Sequence, residues 1–341
     1  MADRVLVTGV SGFLGGHVAL ALLKAGFAVR GSVRDLGKAD KVRATLKRAG
    51  ANVDALEFAA LDLMGDEGWQ AAAEGCRYVQ HVASPFVVKL PKDRDELIRP
   101  AVDGTRRALE AALAAGAERV VLTSSAAAVM YGHPPERTKP FTEADWSATE
   151  GGDVTAYTES KTRAEREAWS IMEAAGRRSD LAVVNPVGIL GPLLDDDPGT
   201  SGMLIQRLLN GSVPAAPKIH FGAVDVRDVA ELQVKAMVTP SAGGRRFIAS
   251  SPDVLSFLDF AQILRTAFPA YAAKLPRFEV PNWLVRLFAA VDPDMRGNVG
   301  SLGVLRRTDS SAGAALLGHP FISSGEAAIA MAQSLIDQKL V

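Results

Sequence analysis

The sequence predicts an α/β fold with a doubly wound parallel sheet and a smaller C-terminal lobe. Through the first half of the chain, short β-branched apolar runs alternate with longer stretches rich in Ala, Leu, Arg and Glu that have a helical period. These stretches are long enough to be the crossover connections that parallel strands require. With 341 residues and 48% apolar composition, the chain can bury the core of one large domain together with a small cap.

The individual elements follow from these patterns in chain order. We predict strands at residues 4–8, 28–33, 56–60, 78–82, 119–123 and 181–185. We predict helices between them at residues 12–25, 38–49, 68–74, 97–115 and 156–175.

The pattern changes after Asn185, where glycine, proline and the acidic run 195–197 interrupt the alternation. We predict a mobile loop there, and we interpret the acidic run as its solvated face. A strand at 219–224 and a helix from Arg227 are expected to return the chain to the sheet, with outer helices at 256–268 and 282–290. The predicted domains are therefore residues 1–185 with about 219–250, and a substrate-binding lobe of about 186–218 and 251–341 over the carboxyl edge of the sheet.

Charge and cysteine content limit the classes of partner. The 38 basic and 39 acidic residues balance, so bulk charge favours neither nucleic acid nor an anionic membrane, and we expect a small-molecule ligand. The single cysteine, Cys76, cannot form an internal disulfide, and the first residues lack a charged-then-apolar leader, so we expect a cytoplasmic protein. No stretch reaches the roughly 20 apolar residues of a membrane span. The five histidines stand singly, without metal-ligand spacing, so we predict no metal site.

A glycine-rich turn follows the first predicted strand. It reads Thr8-Gly9-Val10-Ser11-Gly12-Phe13-Leu14-Gly15 and leads into an Ala/Leu-rich helix. Glycine allows the tight turn and close backbone approach to a pyrophosphate, while the helix N-terminus offers free N–H groups and a positive dipole. A turn of this kind without a ligand is the alternative, but the strand, the helix and the βαβ context together favour a dinucleotide-binding Rossmann site.

The residues after the second strand indicate which dinucleotide is bound. A carboxylate there binds the ribose hydroxyls of NAD, whereas a cation accommodates the extra phosphate of NADP. The sequence has Arg34, with Lys41 one or two helical turns later, and so favours NADPH/NADP+. Asp35 keeps an alternative open, because a shift of one position would bring a carboxylate into that place. A surface salt bridge of Arg34 is a second alternative.

A tyrosine and a lysine lie four residues apart at the start of the helix predicted at 156–175. Residues four apart share a helix face, so Tyr157 and Lys161 are expected to point together. A neighbouring ammonium stabilises a phenolate and lowers the pKa of the phenol, which makes Tyr157 a candidate general acid. Lys161 can at the same time reach the nicotinamide ribose.

A serine hydroxyl at the end of the fifth strand can bind a substrate oxygen. We assign this role to Ser125. Ser124 is the alternative, because strand neighbours face opposite ways and the register is open. Capping of the following turn is the other interpretation for either serine.

Together these residues resemble the extended short-chain dehydrogenase/reductases. The resemblance runs from the first strand to about residue 270, and its motifs are Thr8-Gly9-x-x-Gly12-x-x-Gly15, Asp62-Leu63, His81-Val82-Ala83-Ser84, Thr123-Ser124-Ser125-Ala126, Tyr157-x-x-x-Lys161, Asn185-Pro186 and Val224-Asp225-Val226-Arg227-Asp228-Val229-Ala230. Val33-Arg34-Asp35 with Lys41, and the stretch from Tyr157 to Glu165, are similar to the branch of dihydroflavonol reductases, cinnamoyl-CoA reductases and microbial aldehyde or ketone reductases.

This resemblance implies NADPH-dependent reduction of a ketone or aldehyde carbonyl, with hydride delivered to the carbon while Tyr157 protonates the oxygen. It also implies that Arg34 and Lys41 hold the 2′-phosphate, that Asp62 and Leu63 lie by the adenine, and that Pro186 begins a segment against the nicotinamide. The residues expected to contact the cofactor are Thr8, Gly9, Gly12, Phe13, Leu14, Gly15, Arg34, Lys41, Asp62, Leu63, Val82, Ala83, Ser84, Thr123, Lys161, Pro186 and Gly188.

One position departs from the flavonoid reductases of that branch. Five residues after Ser125, where those enzymes carry an Asn that binds the flavonoid ring, this chain has Met130, which cannot make that polar contact. We therefore expect a broader, more apolar pocket for aryl or alkyl ketones and aldehydes. Its predicted lining is Phe86, Met130 and the loop 188–203, beside Ser125 and Tyr157. Core packing is the alternative for the apolar candidates.

The resemblance also bears on assembly and on competing functions. Many relatives form a homodimer through the helices that correspond to 97–115 and 156–175. A sugar-nucleotide epimerase or dehydratase, or a hydroxysteroid dehydrogenase, shares the glycine turn and the Tyr/Lys pair, but commonly retains NAD(H), which Arg34 and Lys41 disfavour. A non-catalytic NADP-sensing protein is an alternative of another class, and it would not need Ser125, Tyr157 and Lys161 together.

Overall fold

The computed structural model of the protein describes residues 2–85, 93–134, 136–289 and 299–341. Its strands, in chain order, are β1 Arg4–Val7, β2 Ala28–Val33, β3 Leu56–Ala60, β4 Tyr78–His81, β5 Arg119–Thr123, β6 Leu181–Pro186, β7 Gly188–Leu190, β8 Ala216–Pro217, β9 His220–Asp225, β10 Arg245–Ala249, β11 Val254–Ser256 and β12 Glu279–Val280. Seven of them form the main sheet, in the order β10-β6-β5-β4-β1-β2-β3, and every neighbouring pair in it is parallel.

Helices connect the strands and cover both faces of the main sheet. In chain order they are α1 Phe13–Lys24, α2 Ala39–Arg48, α3 Trp69–Ala73, α4 Asp95–Ala114, α5 Ala156–Ala174, α6 Gly199–Leu209, α7 Val226–Val238, α8 Phe257–Ala267, α9 Asn282–Ala289, α10 Ser311–Leu317 and α11 Ser324–Asp337. In the part of the chain that the structure describes, no helix combines the length and the apolar character needed to cross a bilayer.

The two faces of the sheet are buried by alternate residues of the same strands. Val5 and Val7 of β1 point to the core that α1 and α7 complete, whereas Leu6 between them points to the core under α3, α4 and α5. Strand residues alternate between faces, so a strand buried on both sides is apolar throughout. This confirms the doubly wound parallel sheet predicted from the sequence.

Two predictions about the segment after β6 are wrong. Residues 188–203 were predicted as a mobile loop, but they contain β7 and the start of α6. The strand predicted at 219–224 exists as β9, yet it joins β7 and β11 in a separate three-stranded sheet instead of returning to the main one. The glycines and prolines that suggested a loop lie at the ends of these short elements, where turn residues belong.

The three-stranded sheet belongs to a second core. α6, α8 and α11 pack together over it and bury Ile205, Phe260, Leu264 and Met331. α10, by contrast, packs on α7 and β10, so Leu317 joins the core of the main sheet. The division into two domains at the boundaries given above stays a prediction. A homodimer through α4 and α5, which pack against each other within one molecule, stays a prediction as well.

Truncation of an aromatic side chain tests the second core. Phe260 has no exposed surface and stacks on Phe221 with ring centroids 4.8 Å apart. We expect Phe260→Ala to lower the free energy of unfolding by about 3–5 kcal/mol, since it removes buried apolar area and leaves a cavity. Urea denaturation measures this change. Phe278→Ala is the matched control, because Phe278 is 63% exposed and its loss should change stability by about 0.5 kcal/mol or less. Equal effects of the two substitutions would contradict the assignment.

Candidate active site

The candidate active site lies at the carboxyl edge of the main sheet. Because neighbouring strands are parallel, β1, β2, β4, β5 and β6 all end at this edge, where ligands bind in open α/β sheets. β1 pairs with β2 on one side and β4 on the other, so the glycine turn after β1 lies between the ends of both. The topology brings most of the predicted site residues to one edge although they are far apart in the chain.

The glycine turn leaves space for backbone only. Gly9 adopts φ +73°, a conformation that other residues rarely adopt. A Cβ on Gly15 would lie 2.1 Å from the Gly9 carbonyl oxygen, so α1 approaches β1 too closely for any side chain there. Gly12 is the N-cap of α1, and no described side chain caps that helix end. The first N–H groups of α1 are therefore available to an anionic ligand.

Thr8 joins the end of β1 to the end of β4. Its hydroxyl oxygen accepts hydrogen bonds from the N–H groups of Val82 and Ala83, at 3.0 and 2.9 Å. The hydroxyl hydrogen then goes to Nδ1 of His81, 3.0 Å away. This arrangement needs an unprotonated Nδ1, and it agrees with a His81 pKa that burial, and secondly the charge of Lys161, lower to about 3. His81 is therefore a neutral, structural residue at this edge.

Arg34 directly follows β2 and lies at the carboxyl edge of the main sheet. Its side chain is exposed, and none of the described residues pairs with it. The carboxylate of the neighbouring Asp35 is already used, because its Oδ1 accepts the N–H of Gly37 at 2.9 Å and so caps a short 3-10 turn. Arg34 and Asp35 are the two residues that the sequence offers for the ribose and 2′-phosphate of the dinucleotide. Of these, Arg34 is the one whose side chain has no partner in the described structure.

Lys41 is placed differently from the prediction. Its Nζ lies 2.5 Å from Oδ1 of Asp196, in an ion pair whose two side chains are 59% and 64% exposed. The hydrogen bond to Asp196 raises the pKa of Lys41. The acidic run 195–197 is therefore more than a solvated loop face, since it ties α2 to the segment before α6. Lys41 is paired with protein in this structure and would have to leave Asp196 to bind a phosphate.

The other residues predicted to contact the cofactor also lie at or near this edge. One narrow cleft is lined by Leu63, Ala83, Ser84, Thr123 and Lys161. Asp62 is exposed after β3, where its Oδ1 accepts the N–H of Met64. The remaining members of the predicted set are Phe13 and Leu14 in the first turn of α1, Pro186 at the end of β6 and Gly188 at the start of β7.

The start of α5 sets the positions of Tyr157 and Lys161. Thr155 is the N-cap of α5, and its hydroxyl accepts the N–H of Thr158 at 3.2 Å. Tyr157 therefore lies in the first turn and Lys161 one turn later. Nζ of Lys161 is 6.0 Å from the centroid of the Tyr157 ring, so the two side chains share a helix face, as the spacing predicted.

The two serines after β5 point in opposite directions. The Ser124 hydroxyl donates to the carboxylate of Glu165 in the interior, at 2.6 Å. The Ser125 hydroxyl faces the Tyr157 phenol and lowers its pKa, and it also accepts the N–H of Ala127 at 3.1 Å. Both sequence interpretations of Ser125 are therefore compatible with its geometry, since it caps the following turn and also borders the phenol.

The protonation of the Tyr/Lys pair is governed by burial. The sequence predicted that Lys161 lowers the pKa of the Tyr157 phenol, but this expectation is wrong for the structure. Although Tyr157 is 40% exposed, the protein packed around it raises its pKa above 10, and only the Ser125 hydroxyl acts in the other direction. Lys161 is itself buried, which lowers its pKa to about 8, while the charge of Glu165 partly offsets this. Desolvation is the largest cause of both shifts.

Behind the serines lies a buried carboxylate that the motifs did not assign a role. Glu165 has no exposed surface and receives hydrogen bonds from Ser124, from Nδ2 of Asn185 at 2.7 Å and from Nε of Arg246 at 2.5 Å. Glu165 could be found from sequence by its position four residues after Lys161. Arg246 had no such signal, because only the pairing of β10 with β6 brings it there.

The residues predicted to line the substrate pocket differ in how the structure places them. Met130 packs against the small cluster of Val129, Phe141 and Ile248, and it also lines a cavity of about 310 Å³. Arg306 enters the same cavity. Phe86 lies outside the described residues. The expected loop 188–203 is replaced by β7 and α6.

A larger groove, of about 560 Å³, lies elsewhere. It is bordered by the second half of α5, the start of β10 and Trp146, and none of the predicted site residues that the structure describes lines it. The candidate site at the carboxyl edge is therefore chosen by the chemistry of its residues and not by the size of a cavity.

Comparisons with known proteins agree with this geometry. The sequence model of the NAD dependent epimerase/dehydratase family matches residues 5–249. Cinnamoyl-CoA reductase CAD2 of Medicago truncatula is 34% identical over 277 residues, which cover 79% of this chain and 82% of that protein. An uncharacterised oxidoreductase of Schizosaccharomyces pombe is 34% identical over 281 residues, covering 78% and 82%.

A solved structure extends the similarity to the whole chain. Yeast methylglyoxal/isovaleraldehyde reductase Gre2, complexed with NADPH, superposes with a TM-score of 0.81 at 27% identity, over 99% of this chain and 100% of that one. The match spans both the main sheet and the smaller core. The chain therefore belongs to the NAD dependent epimerase/dehydratase family, that is, to the extended short-chain dehydrogenase/reductases, with cinnamoyl-CoA and aldehyde reductases among its relatives.

Proposed function

We propose that this protein is an NADPH-dependent reductase that converts ketone or aldehyde carbonyls to alcohols. The observation that carries the proposal is the grouping of Ser125, Tyr157 and Lys161 beside a glycine turn that leaves space for backbone only. The reductases of cinnamoyl-CoA and of methylglyoxal or isovaleraldehyde among the relatives support the same reaction class.

The residues at the carboxyl edge fit NADPH. The backbone N–H groups at the start of α1 suit the pyrophosphate, because the glycines allow it to approach closely. Arg34 suits the 2′-phosphate, since it is exposed and has no partner in the described chain, whereas Asp35 caps its own turn. Lys161 would bind the nicotinamide ribose. The bound cofactor supplies the hydride that reaches the carbonyl carbon.

Protein groups supply the proton. The raised pKa of Tyr157 keeps the phenol protonated at neutral pH, so that it can donate its hydrogen to the carbonyl oxygen as negative charge develops there. The Ser125 hydroxyl donates a second hydrogen bond to the same oxygen. Lys161, charged at pH 7, stabilises the phenolate that remains after proton transfer. The apolar Met130, five residues after Ser125, supports an aryl or alkyl group on the substrate.

Removal of the phenol hydroxyl tests the general acid. We expect Tyr157→Phe to lower kcat for reduction of a panel of ketones and aldehydes by about 100-fold or more, because the described residues place no second phenol or unpaired carboxylic acid beside Ser125 and Lys161. NADPH consumption followed by absorbance measures this rate. The dissociation constant for NADPH should change little, which separates loss of chemistry from loss of binding. Equal turnover by the variant and the wild type would refute the proposed mechanism.

The cofactor preference depends on Arg34. We expect Arg34→Ala to raise the dissociation constant for NADPH by about 10- to 100-fold, since a charge-assisted contact to phosphate is lost, and to leave the one for NADH nearly unchanged. Titration of cofactor fluorescence measures both constants. Lys47→Ala makes the same charge change at the far end of α2 and serves as the control. An enzyme purified with tightly bound NAD and indifferent to Arg34→Ala would instead favour the epimerase or dehydratase alternative.

The pH dependence follows from Lys161. Its ammonium is fully present below its pKa of about 8 and is lost as pH rises through that value. We therefore expect kcat/KM for reduction to be constant at neutral pH and to fall above about pH 8. Tyr157 stays protonated over the same range because its pKa is raised above 10. A pH profile of the initial rate checks this, and a rate that increases between neutral pH and the Tyr157 pKa would contradict it.

A further inference from the structure

The side chain of Glu165 lies in the interior, paired with Arg246, and the proposed reaction does not use it. Its side chain has no exposed surface, and both oxygens are occupied. Oε2 accepts from Ser124 and Asn185, while Oε1 accepts from Arg246 and, at 3.4 Å, from Nε1 of Trp169.

Such an ion pair is poor as a purely stabilising feature. Removing two charges from water costs several kcal/mol per ion, and apolar residues of similar volume often stabilise a core as well or better. Arg246 is only 7% exposed, so solvent does not relieve this cost. The arrangement therefore suggests a role other than stability.

The hydrogen bonds of Glu165 lead to the residue that borders the phenol. Ser124, which donates to Glu165, immediately precedes Ser125. The Asn185 side-chain amide donates one hydrogen to Glu165 and the other to the carbonyl oxygen of Ser125, at 3.2 Å. Glu165 thus holds the backbone at Ser125 in two ways: directly through Ser124 after β5, and through Asn185 of β6.

The charge of Glu165 acts on the other member of the pair. Lys161 lies one helical turn before Glu165, roughly 6 Å along the axis. Among the described residues, the titratable and charged groups that face Lys161 are Tyr157 and Glu165 from α5 and the neutral His81 from β4, with Arg246 from β10 behind Glu165. Of these, Glu165 is the one that raises the pKa of Lys161 against the effect of burial.

We propose that Glu165 is a positioning residue for carbonyl reduction: balanced by Arg246, its carboxylate keeps Lys161 an ammonium at neutral pH and holds the Ser125 segment in place. The inference rests on the proposed reductase function. It assigns two linked tasks to one group, and it makes Arg246 the counter-charge that tunes the first of them.

Opposite changes of charge give opposite shifts of the pH profile. In Glu165→Gln the size and an acceptor are kept but the charge is lost, so the alkaline fall of kcat/KM should move to lower pH by about one unit. In Arg246→Met the cation is lost and Glu165 acts on Lys161 alone, so the fall should move to higher pH by a similar amount. Ser124→Ala is the matched control, because it removes one hydrogen bond of Glu165 without any change of charge and should leave the position of the fall unchanged.

The outcomes separate this inference from the function on which it rests. If the wild-type protein does not reduce carbonyls, the proposed function is refuted, whereas the observed contacts of Glu165 stand. An active wild type whose profile keeps its position in both charge variants, even with a lower kcat, overturns the inference, since a merely structural role would have that effect. If Glu165→Gln does not fold, the profile of Arg246→Met decides alone: an upward shift supports the inference, and an unmoved or downward one overturns it.

Discussion

The carboxyl edge of this protein depends on how β1 ends. The Thr8 hydroxyl has one hydrogen to donate and two lone pairs to accept with, and in the structure all three are used across the boundary between β1 and β4. The segment from Val82 to Ser84 is thereby held against the glycine turn, and His81 is fixed in one tautomer. A side chain without a hydroxyl at this position would leave the part-buried N–H groups of Val82 and Ala83 without this acceptor, at a cost of up to about 1–3 kcal/mol each.

Burial, more than attraction between charges, determines the protonation states at the site. His81 is neutral because it is desolvated, and the pKa of Lys161 is lowered to about 8 for the same reason. The phenol of Tyr157 follows the same rule. Burial raises its pKa, where the sequence had suggested that Lys161 would lower it. At this site, removal from water causes the largest change in each pKa, and a charged neighbour such as Glu165 partly offsets that change.

Much of the fold could be predicted from sequence because the strands of a sheet buried on both faces are continuous apolar runs, such as Val120 to Leu122. The same reasoning located the glycine turn and the Tyr157/Lys161 pair, which depend on local spacing. It failed where an arrangement depends on distant parts of the chain. Local pattern did not predict that β9 would join β7, that Lys41 would pair with Asp196, or that Arg246 would reach Glu165. The choice between Ser124 and Ser125 likewise needed the register of β5, which a period of two leaves open.

Two of the ion pairs near the candidate site differ in how far solvent reaches them. The pair of Lys41 and Asp196 is more than half exposed, so mobile ions screen it and it contributes about 0–1 kcal/mol. The pair of Glu165 and Arg246 is enclosed and largely insensitive to dissolved electrolyte. Ionic strength is therefore a selective variable for this molecule: concentrated salt weakens the ion pair between α2 and the segment before α6, while the electrostatic balance around Lys161 persists.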